Sequence, residues 1–402
     1  MGEANWANQT IWTGDNLPIL RGMNSRSVDL IYLDPPFNSK ANYAAPIGSE
    51  AAGAEFKDTW TLSDVDVAWL DLLEAKHPAL NRVIHAALNT SDKSYLIYMA
   101  VRLLEMQRVL KETGSIYLHC DPTMSHYLKL VMDAIFGRKA FRNEIVWCYT
   151  GPSNVKRWFQ RKHDTILFFG GGGADCVFNA DAVRVPYKSI GIDRNDPDIF
   201  KESNEERIKQ LLEIGKVPTD WWADDHLTNI SAWKRERVGY PTQKPLALLQ
   251  RIVRASSAED GVILDPFCGC ATACIAAQME HRQWAGIDIA PKAAELVRIR
   301  MEKELGLFYE GVHRTDIPQR TDIEPLRRYN DPANKRALYG EQDGNCNGCG
   351  EHFRPQNLTV DHIIAQSKGG TDHLGNLQLL CGHCNSVKGD RGQAYLLARL
   401  AA

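Results

Sequence analysis

Two patterns of apolar residues alternate along the first 300 positions. Short continuous apolar runs are typical of buried strands, and they occur at 30–33, 115–120, 165–169, 262–264 and 284–287. Apolar residues at three- and four-residue spacing predict amphipathic helices, and these segments are 95–110, 125–136 and 245–255. Gly114 and Gly137 are predicted to end the first two helices. Strands alternating with helices predict an α/β fold, with a Rossmann-like, mostly parallel sheet and helices on both faces.

Composition sets broad limits on the class of protein. The 402 residues are 44% hydrophobic and carry a formal charge of −3, which is ordinary for a soluble protein and excludes neither local basic patches nor nucleic acid. No apolar run reaches the roughly 18 residues that span a bilayer. The first eight residues lack a signal-peptide pattern. We therefore expect a cytoplasmic protein with no membrane partner.

One stretch predicts a rigid catalytic turn. The apolar run that ends at Leu33 is followed directly by Asp34, Pro35, Pro36 and Phe37. The prolines fix φ and lack N–H groups, so their carbonyls remain free acceptors. Asp34 and the Pro35 carbonyl could each accept one hydrogen of an amine, while Phe37 stacks on the attached ring. A strand followed by a plain Pro-Pro turn is the alternative.

A second constellation predicts a nucleoside-cofactor site. The run at 262–264 leads into Asp265, and small residues follow up to a helix predicted to begin near Thr272. About twenty residues later another strand ends in Asp288, placed to accept from ribose hydroxyls. Small residues allow a ligand to approach the backbone closely, and an acid can bind an ammonium group. Two βα units with an acid at each strand end are typical of such a site.

Four ordered motifs carry a family resemblance. They are Asp34-Pro35-Pro36-Phe37, His163-Asp164-Thr165-Ile166-Leu167, Tyr240-Pro241-Thr242-Gln243-Lys244-Pro245 and Asp265-Pro266-Phe267-Cys268-Gly269-Cys270. Together they resemble the amino-DNA methyltransferases that use S-adenosylmethionine. Because the catalytic segment precedes the cofactor segment, the order resembles the permuted beta group. Ala271 departs from the glycine that many members carry.

The resemblance implies a role for each matching position. Asp265 would hold the methionine ammonium, Asp288 the ribose, and Lys244 would help to close the cofactor site. Pro266, Phe267, Gly269 and Thr272 would line the cofactor loop, and 34–37 would grip a base flipped out of double-stranded DNA. Aspartate at the first catalytic position favours adenine over cytosine. An exposed RNA base remains an alternative target.

Residues 150–240 form the candidate target-recognition region. Within it, residues 156–163 combine Lys and Arg with Trp158 and Phe159, a mixture suited to a nucleic-acid backbone and a stacked base. A solvated charged face would look similar.

The last sixty residues predict a small metal module. Residues 312–340 are rich in Arg, Asp, Pro and Asn, and we interpret them as a linker. Two C-x-x-C pairs then occur in a chain expected in a reducing compartment, where such pairs indicate metal before disulfide. Four such thiolates can close a structural Zn²⁺ site, with four unrelated thiols as the alternative; they are Cys346, Cys349, Cys381 and Cys384.

An Asp-His pair between the cysteines carries a second resemblance. Residues 341–392 resemble the HNH endonucleases, which have a ββα-metal fold. The resemblance implies that His362 activates water, that Asp361 and Asn385 hold Mg²⁺ or Mn²⁺, and that Asn376 orients His362. Asn385 stands where many members have histidine. A zinc-stapled DNA clamp without cleavage is the alternative.

These expectations combine into one hypothesis. Residues 1–311 form a DNA amino-methyltransferase domain and 341–402 an HNH domain, in a bacterial or phage-encoded protein of the kind that modifies and cuts DNA. A methyltransferase core that only guides a nuclease is a rival hypothesis. The sequence leaves open whether the protein is a monomer or a homodimer.

Overall fold

The computed structural model describes most of the chain. The described residues are 2–39, 42–45, 49–52, 55–57, 70, 73–74, 76–151, 155–172, 176–186, 209–210, 212–224, 227, 230, 236–306, 309, 311–322 and 327–401. Much of the predicted target-recognition region, including 187–208 and 231–235, lies outside these residues.

Strands and helices alternate through both predicted domains. The strands are β1 (Thr10–Thr13), β2 (Val28–Leu33), β3 (Asn42–Ala44), β4 (Glu55–Lys57), β5 (Leu110–Cys120), β6 (Phe141–Cys148), β7 (His163–Gly170), β8 (Trp221–Trp222), β9 (Val262–Asp265), β10 (Gln283–Asp288), β11 (Val312–Arg314), β12 (Leu358–His362) and β13 (Leu377–Cys381). The helices are α1 (Asn16–Gly22), α2 (Pro78–His85), α3 (Thr90–Val109), α4 (Ser125–Phe136), α5 (Leu246–Ser256), α6 (Thr272–Met279), α7 (Pro291–Leu305), α8 (Pro332–Glu341), α9 (Gly382–Lys388) and α10 (Gln393–Ala401).

One nine-stranded sheet organises the larger domain. Its order is β11-β1-β10-β9-β2-β5-β7-β6-β8. Only β7 runs antiparallel to its neighbours among these described strands. The mostly parallel α/β sheet predicted from the sequence is confirmed. In parallel sheets the carboxyl ends of the strands form the ligand edge, so β10, β9 and β2 bring their last residues together.

Each face of this sheet is buried by a different set of helices. Along β2, Ile31 and Leu33 pack in one core with α3 and α4, while Leu30 and Tyr32 pack in the other with α5, α6 and α7. Successive residues of a strand point to opposite faces, so the continuous apolar run of β2 fits a strand covered on both sides.

Two predicted features of the chain are corrected. The helix α3 ends at Val109, not Gly114, because Leu110 is already extended and opens β5. Gly114 lies inside that strand, where a Cβ would sit 2.8 Å from the Asp29 carbonyl oxygen. Residues 312–322 are no loose linker: β11 pairs with β1, and the Ser25 N–H donates to Asp322 Oδ2 at 2.8 Å.

The smaller domain is a ββα unit. Strands β12 and β13 pair antiparallel, and α9 follows directly. Its core is small and contains leucines from the strands and from α10, together with three buried cysteines. No helix among the described residues has the length and apolar character needed to cross a membrane.

Candidate active sites

The predicted methyltransferase residues line one cavity. It has a volume of about 270 Å³ and opens at the carboxyl ends of β2, β9 and β10. Its walls contain every residue that the sequence analysis assigned to base and cofactor, namely Asp34, Pro35, Pro36, Phe37, Lys244, Asp265, Pro266, Phe267, Gly269, Thr272 and Asp288. Segments that are more than 200 residues apart therefore meet because their strands are neighbours in the sheet.

Asp34 is held by one of its two carboxylate oxygens. Lys244 Nζ lies 2.5 Å from Asp34 Oδ2, and both side chains are largely buried. The other oxygen, Oδ1, is buried and has no hydrogen-bond partner among the described residues. A buried polar atom without a partner is costly, so such an atom at a cavity wall is a candidate contact for a bound ligand. Lys244, predicted to close the cofactor site, thus lies between that site and the catalytic turn.

A buried hydrogen-bonded chain supports the catalytic turn. The Phe37 ring stacks on His119, with ring centroids 5.9 Å apart and planes 23° apart. His119 is fully buried; its Nδ1 lies 2.9 Å from Tyr32 Oη and its Nε2 3.1 Å from Asp164 Oδ2. Burial alone would raise the pKa of Asp164, but the hydrogen bonds from His119 and Tyr149 hold it below the ordinary value.

Sequence reasoning did not single out His119 for this site. It placed the residue only in a strand, and its signal was a polar ring inside the apolar run 115–120. Because β5 pairs with β2, the His119 ring stacks on Phe37.

The cofactor half of the cavity is acidic and buried. Burial raises the pKa of Asp265 well above its ordinary value, with the Asp34 and Asp288 carboxylates adding to the effect. Burial also raises the pKa of Asp288, although the N–H groups of Ala290 and Gly269 donate to its two oxygens at 2.8 Å. Two desolvated acids in one cavity suit a ligand that brings a positive charge and hydroxyl donors.

The loop between β9 and α6 needs left-handed backbone. Gly269 has φ +50, with Tyr240 ring atoms 2.9 Å from where a Cβ would lie. Ala271 has φ 56 and ψ 41, also left-handed. This conformation fits the glycine that the family resemblance leads one to expect there, and for alanine it costs roughly 1–2 kcal/mol.

The cysteine quartet has the geometry of a metal centre. The sulfur atoms of Cys346, Cys349, Cys381 and Cys384 all lie within 4.8 Å of one another. Burial raises the pKa of the Cys346 thiol, but backbone N–H donors, including those of Cys381 and Gly348, lower it to about 7. Four sulfur ligands at these separations fit tetrahedral Zn²⁺, whose Zn–S bonds are about 2.3 Å.

The HNH histidine has a carboxylate partner that was not predicted. His362 Nε2 lies 2.8 Å from Asp372 Oδ1, and the Tyr329 N–H donates to Asp372 Oδ2 at 3.0 Å. Burial alone would raise the pKa of Asp372, but the His362 hydrogen bond and the Tyr329 donor hold it below the ordinary value. Asp372 was not recognised because it lies ten residues from His362 in the sequence, and nothing in the sequence shows that the fold brings it beside the imidazole ring.

The role predicted for Asn376 is corrected. Its side chain accepts from the Ile364 N–H at 3.0 Å and donates to the Ile364 and Thr371 carbonyls at 3.1 and 2.9 Å. It therefore braces the loop that carries Asp372, and Asp372 is the side chain that contacts the His362 ring.

The predicted metal ligand Asp361 already has a positive partner. Lys388 Nζ, fully buried, lies 3.0 Å from Asp361 Oδ2 and donates to the His362 carbonyl at 2.7 Å. Gln378 also donates to Oδ2, at 3.0 Å. Asn385 lies one helical turn before Lys388 on α9. The contacts from Lys388 and Gln378 both fall on Oδ2, so they leave the other oxygen of the Asp361 carboxylate, Oδ1, out of this cluster.

Family models match both parts of the chain. A family model for DNA methylases matches residues 28–298, and one for HNH endonucleases matches residues 346–391. The first match covers more than half of the sequence, and the chain belongs to the DNA methylase family, with an HNH endonuclease domain at its C-terminal end.

Similar proteins cover the methylase part of the chain. The Type II methyltransferase M.HpaI of Haemophilus parainfluenzae is 27% identical over 301 residues, 75% of this chain and 76% of that protein. The DNA adenine methyltransferase YhdJ of Escherichia coli is 26% identical over 340 residues, 83% and 93% of the two chains. A putative DNA modification methylase from Thermus thermophilus, solved with S-adenosyl-L-methionine, is 17% identical with a TM-score of 0.44, covering 76% of this chain and 99% of that one.

Proposed function

We propose that the larger domain transfers a methyl group from S-adenosylmethionine to the exocyclic amine of a flipped base in double-stranded DNA, with adenine as the target. The observation that carries this proposal is Asp34 Oδ1. It is a buried acceptor without a partner among the described residues, in a cavity that also contains Asp265 and Asp288. The resemblance of the Asp34 turn and the name of the YhdJ relative both favour adenine.

Different residues of the cavity then bind the base and the cofactor. Asp34 Oδ1 and the Pro35 carbonyl accept the two amine hydrogens, and Phe37, fixed by His119, stacks on the base. Asp265 holds the methionine ammonium, Asp288 the ribose, and Pro266, Phe267, Gly269 and Thr272 shape the loop around the cofactor. The bound cofactor supplies an electrophilic methyl group. As the N–C bond forms and the C–S bond breaks, the amine gives up one proton, for which Asp34 is the hydrogen-bonded acceptor.

Lys244 has a positioning role in this arrangement. By pairing with Asp34 Oδ2 it turns the other oxygen toward the cavity, and its ammonium lies 5.3 Å from the Phe37 ring centroid. Alignment of the amine with the methyl group is the main demand on the protein, because positioning supplies much of the rate in such transfers.

We propose further that the HNH domain cleaves DNA. His362, oriented by Asp372, would take a proton from water as the oxygen attacks phosphorus and the P–O bond of the leaving strand breaks. Asp361 and Asn385 would hold Mg²⁺ or Mn²⁺, which stabilises the phosphate charge. The His362–Asp372 contact supports this assignment, since a clamp needs no oriented base beside its DNA.

Methyl transfer is tested by incubating the protein with DNA and radiolabelled cofactor, and by sequencing modified bases in DNA from expressing cells. We expect methylated adenine at one motif, and we expect Asp34→Ala to lose transfer on the order of 10²–10⁴-fold while cofactor binding persists. If sequencing detects modified cytosine instead, the target base is cytosine and not adenine. An Asp34→Ala variant that still methylates would refute the proposed site, whereas a wild type without transfer would favour the rival in which the core only guides the nuclease.

Cleavage is tested separately with DNA and Mg²⁺, with and without cofactor. We expect nicks or breaks that His362→Ala abolishes while DNA binding persists. If no condition yields cleavage, the HNH domain is a zinc-stabilised clamp. Both activities in one chain would fit a restriction–modification system acting in the bacterial cytoplasm, where thiolates stay reduced. A homodimer stays a prediction.

A further inference from the structure

The hairpin between β6 and β7 exposes two large aromatic side chains. Phe159 is 99% and Trp158 71% exposed, whereas the aromatic residues of the adjoining strands are largely buried. They are neighbours in sequence within 155–162, a described stretch of the connection between the two strands. An exposed pair of large apolar rings is unfavourable in water and marks a surface that meets a partner.

The same hairpin is strongly basic. Lys156, Arg157, Arg161 and Lys162 lie within seven positions and no acid interrupts them, although the whole chain carries a formal charge of −3. No ion pair joins any of these four cations to an acid in the part of the chain that the structure describes. Exposed rings among cations that have no acidic partner in the described residues suit a partner that offers both phosphates and stacked planar groups.

The hairpin and the catalytic turn lie at the same edge of the sheet. Cys120 at the end of β5 pairs with Thr165 near the start of β7, and β5 runs parallel to β2, which leads into Asp34. The hairpin therefore leaves the sheet at the edge where β2 ends.

A chain of side chains joins the base of the hairpin to the catalytic turn. Tyr149 Oη donates to Asp164 at 3.1 Å, Asp164 contacts His119, and His119 stacks on Phe37. Phe159 is four residues from His163, so its backbone lies within about 14 Å of the first residue of β7, given a maximum of about 3.6 Å per residue.

We infer that Trp158 and Phe159 form an aromatic wedge that enters the DNA stack beside the target base and fills the space left when that base turns out. Flipping unstacks the base and leaves a hole, and apolar side chains inserted between base steps are a known way to stabilise deformed DNA. The four cations hold the flanking phosphates, while Asp34 to Phe37 receive the base. This inference rests on the proposed methylation of a flipped base and assigns the hairpin a part in it.

A binding experiment tests the wedge without needing methyl transfer or the recognition sequence. The full-length protein competes for two labelled duplexes in Mg²⁺-free buffer, one intact and one with a single internal abasic site, which offers a ready-made hole. We expect the wild type to prefer the abasic duplex on the order of tenfold, the scale of one base–aromatic stack. Phe159→Ala and Trp158→Ala should bind both duplexes alike.

Two control variants separate stacking from other effects. Leu130→Ala removes a half-exposed apolar side chain from α4, outside the segment that carries Trp158 and Phe159, and should keep the preference. Arg157→Ala should weaken binding to both duplexes equally, because a phosphate contact is indifferent to the hole. A wild type without preference, or a Phe159→Ala variant that retains it, would overturn the wedge.

Methylation provides a second readout once the motif is known. On intact DNA, Phe159→Ala should methylate more slowly than the wild type, and a mismatch opposite the target should restore most of the loss, because the base pair no longer has to be broken. Equal losses on both substrates would contradict the wedge. An abasic preference in a wild type that transfers no methyl group would leave the wedge standing and remove the proposed methylation.

Discussion

Both domains pair an aspartate with a buried lysine, but the two pairs leave different atoms free. In the methylase cavity, Lys244 holds one oxygen of Asp34 at 2.5 Å and the other has no partner among the described residues. In the HNH domain, Lys388 and Gln378 both lie 3.0 Å from Asp361 Oδ2. In the first pair one carboxylate oxygen remains at the cavity wall without a described partner, whereas in the second pair a cation and an amide share the same carboxylate oxygen.

The two pairs also depend on different sources of rigidity. Asp34 and Lys244 come from segments 210 residues apart that a nine-stranded sheet with two large cores brings together. Asp361 and Lys388 come from a short ββα unit with one small core. A domain of that size needs an additional cross-link. We therefore expect burial alone to position the first pair, and the cysteine quartet to support the second.

Removing zinc is expected to have the largest effect on this contrast. Structural zinc contributes roughly 10–16 kcal/mol of binding free energy to small domains, so replacing Cys384 with Ser should unfold the HNH domain and abolish cleavage. Methyl transfer should remain, because no cysteine of the quartet lines the methylase cavity. Metal analysis, limited proteolysis and both activity assays report the outcome. Parallel loss of methyl transfer would show that the two domains do not fold independently.

Breaking the Asp361–Lys388 pair should have the second-largest effect. Lys388→Met leaves Asp361 partly buried beside an uncharged side chain, and breaking a buried ion pair typically costs about 3–5 kcal/mol. We expect a lower midpoint for thermal unfolding of the HNH domain and loss of cleavage, with methyl transfer unchanged. Lys335→Met, at a partly exposed position of α8, is the matched control. Unchanged thermal stability in Lys388→Met would mean that the buried lysine does not support the domain.

Breaking the Asp34–Lys244 pair should instead impair catalysis more than folding. Lys244→Met frees Asp34 to rotate, and a displacement of about 1 Å in a reacting group can cost on the order of a hundredfold in rate. We expect kcat for methyl transfer to fall by that factor with cleavage unaffected. Lys292→Met, which removes a lysine from the surface of α7, is the control. If the affinity for cofactor fell while kcat stayed constant, Lys244 would belong to the cofactor site as the sequence first indicated.

Local patterns predicted much more of this molecule than did long-range pairings. The strand ends with Asp34, Asp265 and Asp288 were visible because each acid directly follows an apolar run. Three contacts were not predicted, because they exist only once strand order and loop paths are fixed: Lys244 with Asp34, His119 with Phe37, and Asp372 with His362. The edge strand β11 was missed for the same reason: three residues of mixed polarity pair with β1 only in the completed sheet.

The smallest expected effect, at most about tenfold for each pH unit, is the pH dependence of cofactor binding, and it applies to the methylase cavity alone. Burial raises the pKa of Asp265, so the unliganded fold favours the protonated acid and loses stability as pH rises from the unfolded pKa to the folded one. In the proposed site the cofactor ammonium would pair with the ionised form of Asp265. Its affinity should therefore weaken as pH falls through that raised pKa, by up to about tenfold per unit. Calorimetry from pH 5 to 8 measures this slope. Asp265→Asn should bind more weakly and show a shallower slope, while the exposed Asp316→Asn should match the wild type; a wild-type affinity independent of pH would remove Asp265 from the ammonium site.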